Sequence, residues 1–75
     1  MVRIGKKGRI LEGEPRGWYI LVQDDRAETG GYYVFTSSVP GFDGGVGEGY
    51  DDWVENEETL AALFEARGWT VEWES

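Results

Sequence analysis

The chain lacks both cysteine and histidine, and these two absences exclude several kinds of side-chain chemistry. Without cysteine it has neither disulfide bridges nor thiolate metal ligands, and we expect a reducing, cytoplasmic environment. Without histidine it has no Ser-His or Cys-His nucleophile, no imidazole general base and no imidazole metal ligand. We therefore expect a protein that is not an enzyme and that uses neither a metal nor a cofactor.

Positive charge is also scarce, since 7 lysines and arginines stand against 15 aspartates and glutamates, for a net charge of −8. Nucleic acids are bound chiefly through lysine and arginine, so we do not expect a nucleic-acid ligand. Long apolar runs are missing as well, and the first residues mix charged and apolar side chains. The sequence therefore predicts neither a targeting segment nor a membrane span.

The carboxylates are unevenly distributed along the chain. Residues 43–75 contain ten carboxylates and a single cation, Arg67, whereas residues 1–16 contain five cations and two carboxylates. A surface of one sign repels partners of the same sign and attracts partners of the opposite sign, and salt weakens both effects. The distribution predicts a basic protein as the partner.

Aromatic residues are abundant, with four tryptophans, four tyrosines and three phenylalanines among 75 residues. They supply more buriable apolar area than a disordered chain carries, even at this net charge. A chain of this length forms one small core. We therefore expect a single folded domain over residues 1–75.

Hydrophobic patterning predicts four strands ahead of a helix. Segments 18–22 and 32–36 are apolar on both faces, which indicates a central antiparallel hairpin joined by the loop 24–31. Val2 and Ile4, the turn 5–8, and then Ile10 and Leu11 indicate an earlier hairpin. The glycine-rich segment 39–49 indicates a long loop.

The C-terminal third predicts a helix and a last strand. Asn56 is a suitable N-cap, apolar residues recur at helical spacing from Leu60 to Phe64, and Gly68 is a suitable terminator. Residues 69–74 then alternate strictly, which is typical of an edge strand with one solvated face. The predicted fold class is α+β, with an antiparallel-rich sheet of about five strands and one helix across one face, in the order β-β-β-β-α-β.

Aromatic side chains are embedded among acidic ones just ahead of the predicted helix. Tryptophan and tyrosine bury a large area in interfaces, and surrounding carboxylates speed association with a basic partner. We therefore predict a partner-binding site formed by Tyr50, Asp51, Asp52, Trp53, Glu55, Glu57 and Glu58. A structural interpretation also stands, in which Tyr50 and Trp53 pack under the helix while Asp51 and Asp52 cap an irregular turn.

Two other functions remain open from the sequence. The glycine-rich loop 41–52 has the oxygen ligands and the flexibility of a small calcium- or carbohydrate-binding module, although its spacing departs from the EF-hand pattern. Trp18, Trp69 and Trp73 are interpreted first as core residues and second as a platform for a sugar or a partner. A structural subunit that dimerises through its tryptophan face is a third function, so both a monomer and a homodimer are compatible with the sequence.

The C-terminal residues also carry a resemblance, through segments 50–55 and 68–73 and the apolar residues Leu60, Leu63 and Phe64. They resemble the small acidic bacterial immunity proteins that accompany polymorphic toxins, over about a third of the chain. The resemblance implies a stoichiometric inhibitor whose acidic face fills the basic, phosphate-binding cleft of a toxin nuclease.

Overall fold

A computed structural model of the chain describes residues 2–41 and 49–74, and it contains five strands and one helix within them. In chain order these are β1 (Lys7–Glu12), β2 (Tyr19–Asp25), β3 (Gly31–Ser37), β4 (Gly49–Val54), α1 (Glu57–Arg67) and β5 (Thr70–Trp73).

The strands form one sheet in the order β4-β3-β2-β1-β5, and every neighbouring pair is antiparallel. Strands β4 and β5 therefore run in the same direction at opposite edges, and α1 connects them across the sheet. The predicted α+β fold, with its β-β-β-β-α-β order, is confirmed. The central position of β2 and the edge position of β5 are also as predicted.

The core lies between α1 and one face of the sheet. Leu60 and Phe64 of the helix belong to the same buried cluster as Ile20 and Val34, which are fully buried on the two central strands. The remaining buried members of this cluster are Ile10, Val22, Tyr32 and Trp69. Because side chains alternate along a strand, the residues between these positions point to the opposite face of the sheet, which we call the open face.

The helix begins and ends where local signals predict. Asn56 Oδ1 accepts a hydrogen bond from Thr59 N at 2.8 Å, and Thr59 Oγ1 accepts one from Asn56 N at 3.1 Å. This reciprocal arrangement is a capping box, and it satisfies N–H groups that have no partner within a helix. Gly68 adopts φ 65°, a left-handed conformation that glycine tolerates best, and its N–H bonds back to the last turn.

The predicted first hairpin is wrong. Residues 7–12 form one continuous strand, which pairs with β2 on one side and with β5 on the other. Val2 and Ile4 lie outside the strands and pack against the core cluster instead. Two neighbouring strands supply β1 with more hydrogen bonds than a local turn at residues 5–8 offers, so tertiary pairing overrides the turn signal.

Strand β4 takes the place of the missing strand, at a position where the sequence predicted loop and irregular turn. Glycine and aspartate disfavour strands, so residues 49–54 carry little local β signal. They form a strand because β3 has an apolar segment whose second side is available for pairing, from Tyr32 opposite Val54 to Ser37 opposite Gly49. The number and order of the elements therefore agree with the prediction, although one of the four leading strands is a different segment, since residues 49–54 replace the predicted strand at Val2 and Ile4.

No helix within residues 2–41 and 49–74 is both long and apolar enough to cross a bilayer.

Replacing Asn56 tests the capping box. Asn56→Ala removes the acceptor for Thr59 N and should lower the free energy of unfolding by about 1 kcal/mol, within the ~0.5–2 kcal/mol known for N-caps. Urea denaturation followed by circular dichroism measures this difference. Asn56→Asp, which keeps a side-chain acceptor, is the matched control and should retain most of the stability; an equal loss in both variants would contradict the assignment.

Candidate functional site

Alternation along β4 divides the predicted binding site between the two faces of the sheet. Asp51 lies opposite Phe35 and Trp53 lies opposite Tyr33, so both point to the open face. Trp53 remains 46% exposed, which contradicts the interpretation that it packs under the helix. One aromatic residue and one carboxylate of the predicted site therefore stand together on the face that α1 leaves uncovered.

Tyr50 and Asp52 point to the other side of the sheet. Tyr50 is 61% exposed and stacks on Trp18 with ring centroids 5.6 Å apart, so it does not pack under the helix either. The Asp52 carboxylate lies 3.7 Å from the Arg67 guanidinium at the end of α1. Both side chains of this ion pair are substantially exposed, so the pair contributes at most ~1 kcal/mol and leaves Asp52 available to water.

The three glutamates of the predicted site lie after the strand. Glu55 precedes the N-cap, while Glu57 and Glu58 occupy the first turn of α1, and all three are exposed. Carboxylates in the first turn interact favourably with the positive end of the helix dipole. This accounts for a structural role of Glu57 and Glu58, and all three glutamates extend the negative surface that starts at Asp51.

The indole of Trp53 is held in a defined orientation, which the sequence did not predict. Its Nε1 donates a hydrogen bond to Thr29 Oγ1 at 2.8 Å. A Cβ atom at Gly31 would lie 2.5 Å from Trp53 Cζ2 and 2.6 Å from Trp53 Cε2, so the indole occupies the space that a side chain there would need. Glycine at position 31 is therefore needed for the indole to lie where it does. The sequence alone did not indicate this, because Gly31 stands at the end of a predicted loop.

The open face carries a continuous row of side chains from one edge of the sheet towards the other. From β4 to β1, the positions in register are Asp51, Phe35, Leu21 and Lys7. Beside this row, Tyr33 stacks on Phe35 with ring centroids 5.5 Å apart. The face therefore has an acidic side chain at its β4 end, apolar and aromatic side chains in the middle, and basic side chains on β1.

The helix side of β4 borders a cleft of about 470 Å³. Tyr50, Asp52 and Arg67 line it together with Thr36 and the loop residues Glu14 and Pro15. A volume of this size accommodates a ligand or a large side chain of a partner. Tyr50 and Asp52 are thereby placed at the rim of a concavity rather than on a flat surface.

One carboxylate of β2, Asp24, forms an ion pair with Arg26 in the loop that follows the strand. Arg26 donates hydrogen bonds through Nε and Nη2 to the carboxylate of Asp24, at 3.0 Å and 2.8 Å for the shorter contacts. These side-chain bonds, together with a backbone bond from Arg26 N, lower the pKa of Asp24 below its ordinary value of 3.8. Arg26 also lies over the Tyr32 ring at 5.6 Å.

The structure bears on the two alternative functions, a calcium- or carbohydrate-binding loop and a tryptophan face, to different extents. Most of the glycine-rich loop proposed to bind calcium or carbohydrate, residues 42–48, lies outside the described residues. Among the residues that are described, no group of three or more acidic side chains is arranged to hold a metal ion. Trp69 is a buried core residue, whereas Trp18 and Trp73 are partly buried and pack against the core. Trp69 and Trp73 both contact Phe64 of α1.

Comparisons of the chain with protein-family models, with curated proteins and with solved structures each give no match. The resemblance to immunity proteins therefore stays a prediction.

Substitution at Gly31 tests the contact with the indole. Gly31→Ala places a methyl group against Trp53 and the Val54 carbonyl and should lower the free energy of unfolding by about 1–3 kcal/mol, as overpacking does. The same substitution in a Trp53→Ala background should cost less, because two of the three nearest atoms belong to the indole. Chemical denaturation of the four proteins gives the coupling energy, and equal costs in both backgrounds would refute the contact.

The Asp24 carboxyl provides a titration test. Its pKa in the folded protein is below 3.8, so the Arg26 contact contributes stability above that pH and loses it as the pH falls through the lowered folded pKa. A carboxyl-detected NMR titration should give a midpoint below 3.8 that moves upward in Arg26→Ala. Arg16→Ala removes a distant cation as the control and should leave the midpoint unchanged; a midpoint that ignores both substitutions would contradict the ion pair.

Proposed function

We propose that this chain is a non-enzymatic protein-binding module of the immunity type, which presents an acidic surface with exposed aromatic side chains to a basic partner protein. The carrying observation is the half-exposed Trp53 indole, fixed by Thr29 and seated over Gly31, beside Asp51 on the open face of the sheet. A toxin nuclease is the partner that the resemblance implies, and the cytoplasm is the compartment that the absence of cysteine favours.

A fixed, half-exposed indole supports binding because it loses little side-chain entropy when a partner covers it. Tryptophan is enriched among the few interface residues that contribute most of the binding free energy. Ordering a mobile side chain at an interface costs ~0.5–1.5 kcal/mol, and the hydrogen bond to Thr29 reduces that cost in advance.

The surrounding charge supports a basic partner. Asp51, Glu55, Glu57 and Glu58 are all exposed, and the chain as a whole has a net charge of −8. Such a surface accelerates encounter with a positively charged protein, and its effect falls as salt rises. The phosphate-binding cleft of a nuclease has the required sign.

The test is capture of a basic protein from the host lysate by the tagged chain, at low and at high salt. We expect capture by the wild type at low salt, and loss of at least about tenfold in affinity for Trp53→Ala, as for a central interface tryptophan. Asp51→Asn with Asp52→Asn should slow association and flatten its salt dependence.

The matched control removes two exposed carboxylates elsewhere, Glu28→Gln with Glu65→Gln, and should retain both affinity and on-rate. Circular dichroism confirms that each variant is folded. If Trp53→Ala and the Asp51, Asp52 double variant bind the captured protein as the wild type does, the surface is assigned wrongly.

A further inference from the structure

We propose that the partner engages this surface by adding an extended, arginine-containing segment to the outer edge of β4, as a further strand of the sheet. The inference rests on the proposed function, because it specifies how the basic partner is recognised. Within the described residues β4 pairs with β3 only, so one of its sides has no neighbouring strand. Alternate N–H and C=O groups of such a strand point outward and can pair with an added one.

The outer edge of β4 has a carboxylate on each face of the sheet, and these negative charges are complementary to a basic strand. Asp51 and Asp52 are consecutive, so one carboxylate lies on the open face and the other on the helix side. Consecutive residues of an added strand alternate in the same way. Two adjacent cations in the partner would therefore each meet one carboxylate, a match that a single-faced acidic patch does not provide.

Arginine fits this edge better than lysine. Each of the two carboxylates has an exposed aromatic ring two residues away on its own face of the strand: Trp53, at 46% exposure, on the face of Asp51, and Tyr50, at 61%, on the face of Asp52. A guanidinium can form a bidentate pair with a carboxylate and also stack on an aromatic ring. Arg9 and Arg26 already lie over Tyr19 and Tyr32 in this chain, at 5.9 Å and 5.6 Å from the ring centroids.

The other edge strand lacks these features. Glu72 of β5 lies directly opposite Arg9 of β1, much as Asp52 of β4 lies 3.7 Å from Arg67, so the two edges differ in their aromatic side chains rather than in charge. Trp73 is half-buried and stacks on Phe64 of α1. Strand β5 is also shorter than β4, with 4 residues against 6. It therefore serves as an internal control for acidic strand edges in general.

A second copy of the chain is a poorer occupant. Pairing β4 with itself would bring carboxylates of two copies together, and like charges across a strand pair are destabilising. Face-to-face association is limited by area, because five strands of about 20 Å at a spacing of about 4.8 Å cover roughly 500 Å² per copy, less than the ~800 Å² of a standard interface. Each copy also carries a net charge of −8.

The experiment uses the whole chain and the capped peptide Val-Thr-Arg-Arg-Val-Thr, whose adjacent arginines place one guanidinium on each face of a strand. Two further peptides carry backbone N-methyl groups at the odd or at the even positions, and a fourth has glutamates in place of the arginines. Amide NMR spectra report binding and folding, and amide hydrogen exchange reports which backbone N–H groups become protected.

We expect the parent peptide to bind at low salt and to slow exchange of alternate β4 amides, while β5 amides are unchanged. One N-methylated peptide should bind at least about tenfold more weakly and the other as the parent does, because a strand bonds to a given neighbour through alternate residues. Asp51→Asn with Asp52→Asn should weaken binding about three- to tenfold, whereas Glu72→Gln with Glu74→Gln should not. The glutamate peptide should not bind.

Three results would overturn the inference. Strand addition is excluded if both N-methylated peptides bind equally and β4 is not protected, or if the parent peptide does not bind. In either case the proposed function is tested separately by capture of the basic protein. It stands if Trp53→Ala abolishes that capture, and it is wrong if Trp53→Ala does not. Protection of β4 that appears without peptide and grows with protein concentration, together with a dimer in sedimentation, identifies a second copy as the occupant.

Discussion

The structure depends on one geometric constraint, which is that a single helix covers one face of a five-stranded sheet. Leu60 and Phe64 bury the side of the central strands that carries Ile20 and Val34. The same strands are apolar on their other side, where Leu21, Phe35 and neighbouring rings remain on the open face. No described helix covers that face, where Leu21 and Phe35 are half-buried and Trp53 is 46% exposed.

The position of β4 at the edge of the sheet is a second feature of this arrangement. Because β4 ends the sheet among the described strands, its residues combine a backbone edge that no described strand pairs with and side chains on both faces. The acidic residues there protect the edge from pairing with like-charged copies of the chain. In the proposed function the same charges attract a basic partner, so one set of side chains would serve both roles. The Trp53 indole, held at Thr29 and Gly31, gives this edge a fixed apolar contact.

Prediction succeeded where the signal is local and failed where it depends on neighbouring strands. The helix was predictable from Asn56 to Gly68, since caps and the spacing of Leu60 and Phe64 lie within one segment. The β2–β3 hairpin was predictable because both segments are rich in β-branched and aromatic residues. The first hairpin was predicted wrongly, although its second strand, at Ile10 and Leu11, lies within β1. Strand β4 was missed because it is a strand only through pairing with β3.

The sequence by itself determined the composition of the candidate site, its negative charge and its position ahead of the helix. Only the tertiary structure decided how those residues are arranged, because residues 49–54 become a strand through their pairing with β3, and a strand sends consecutive side chains to opposite faces. Asp51 and Trp53 are thereby separated from Tyr50 and Asp52. The support of the indole by Thr29 and Gly31 likewise exists only after the chain folds, since these residues are more than twenty positions away in sequence.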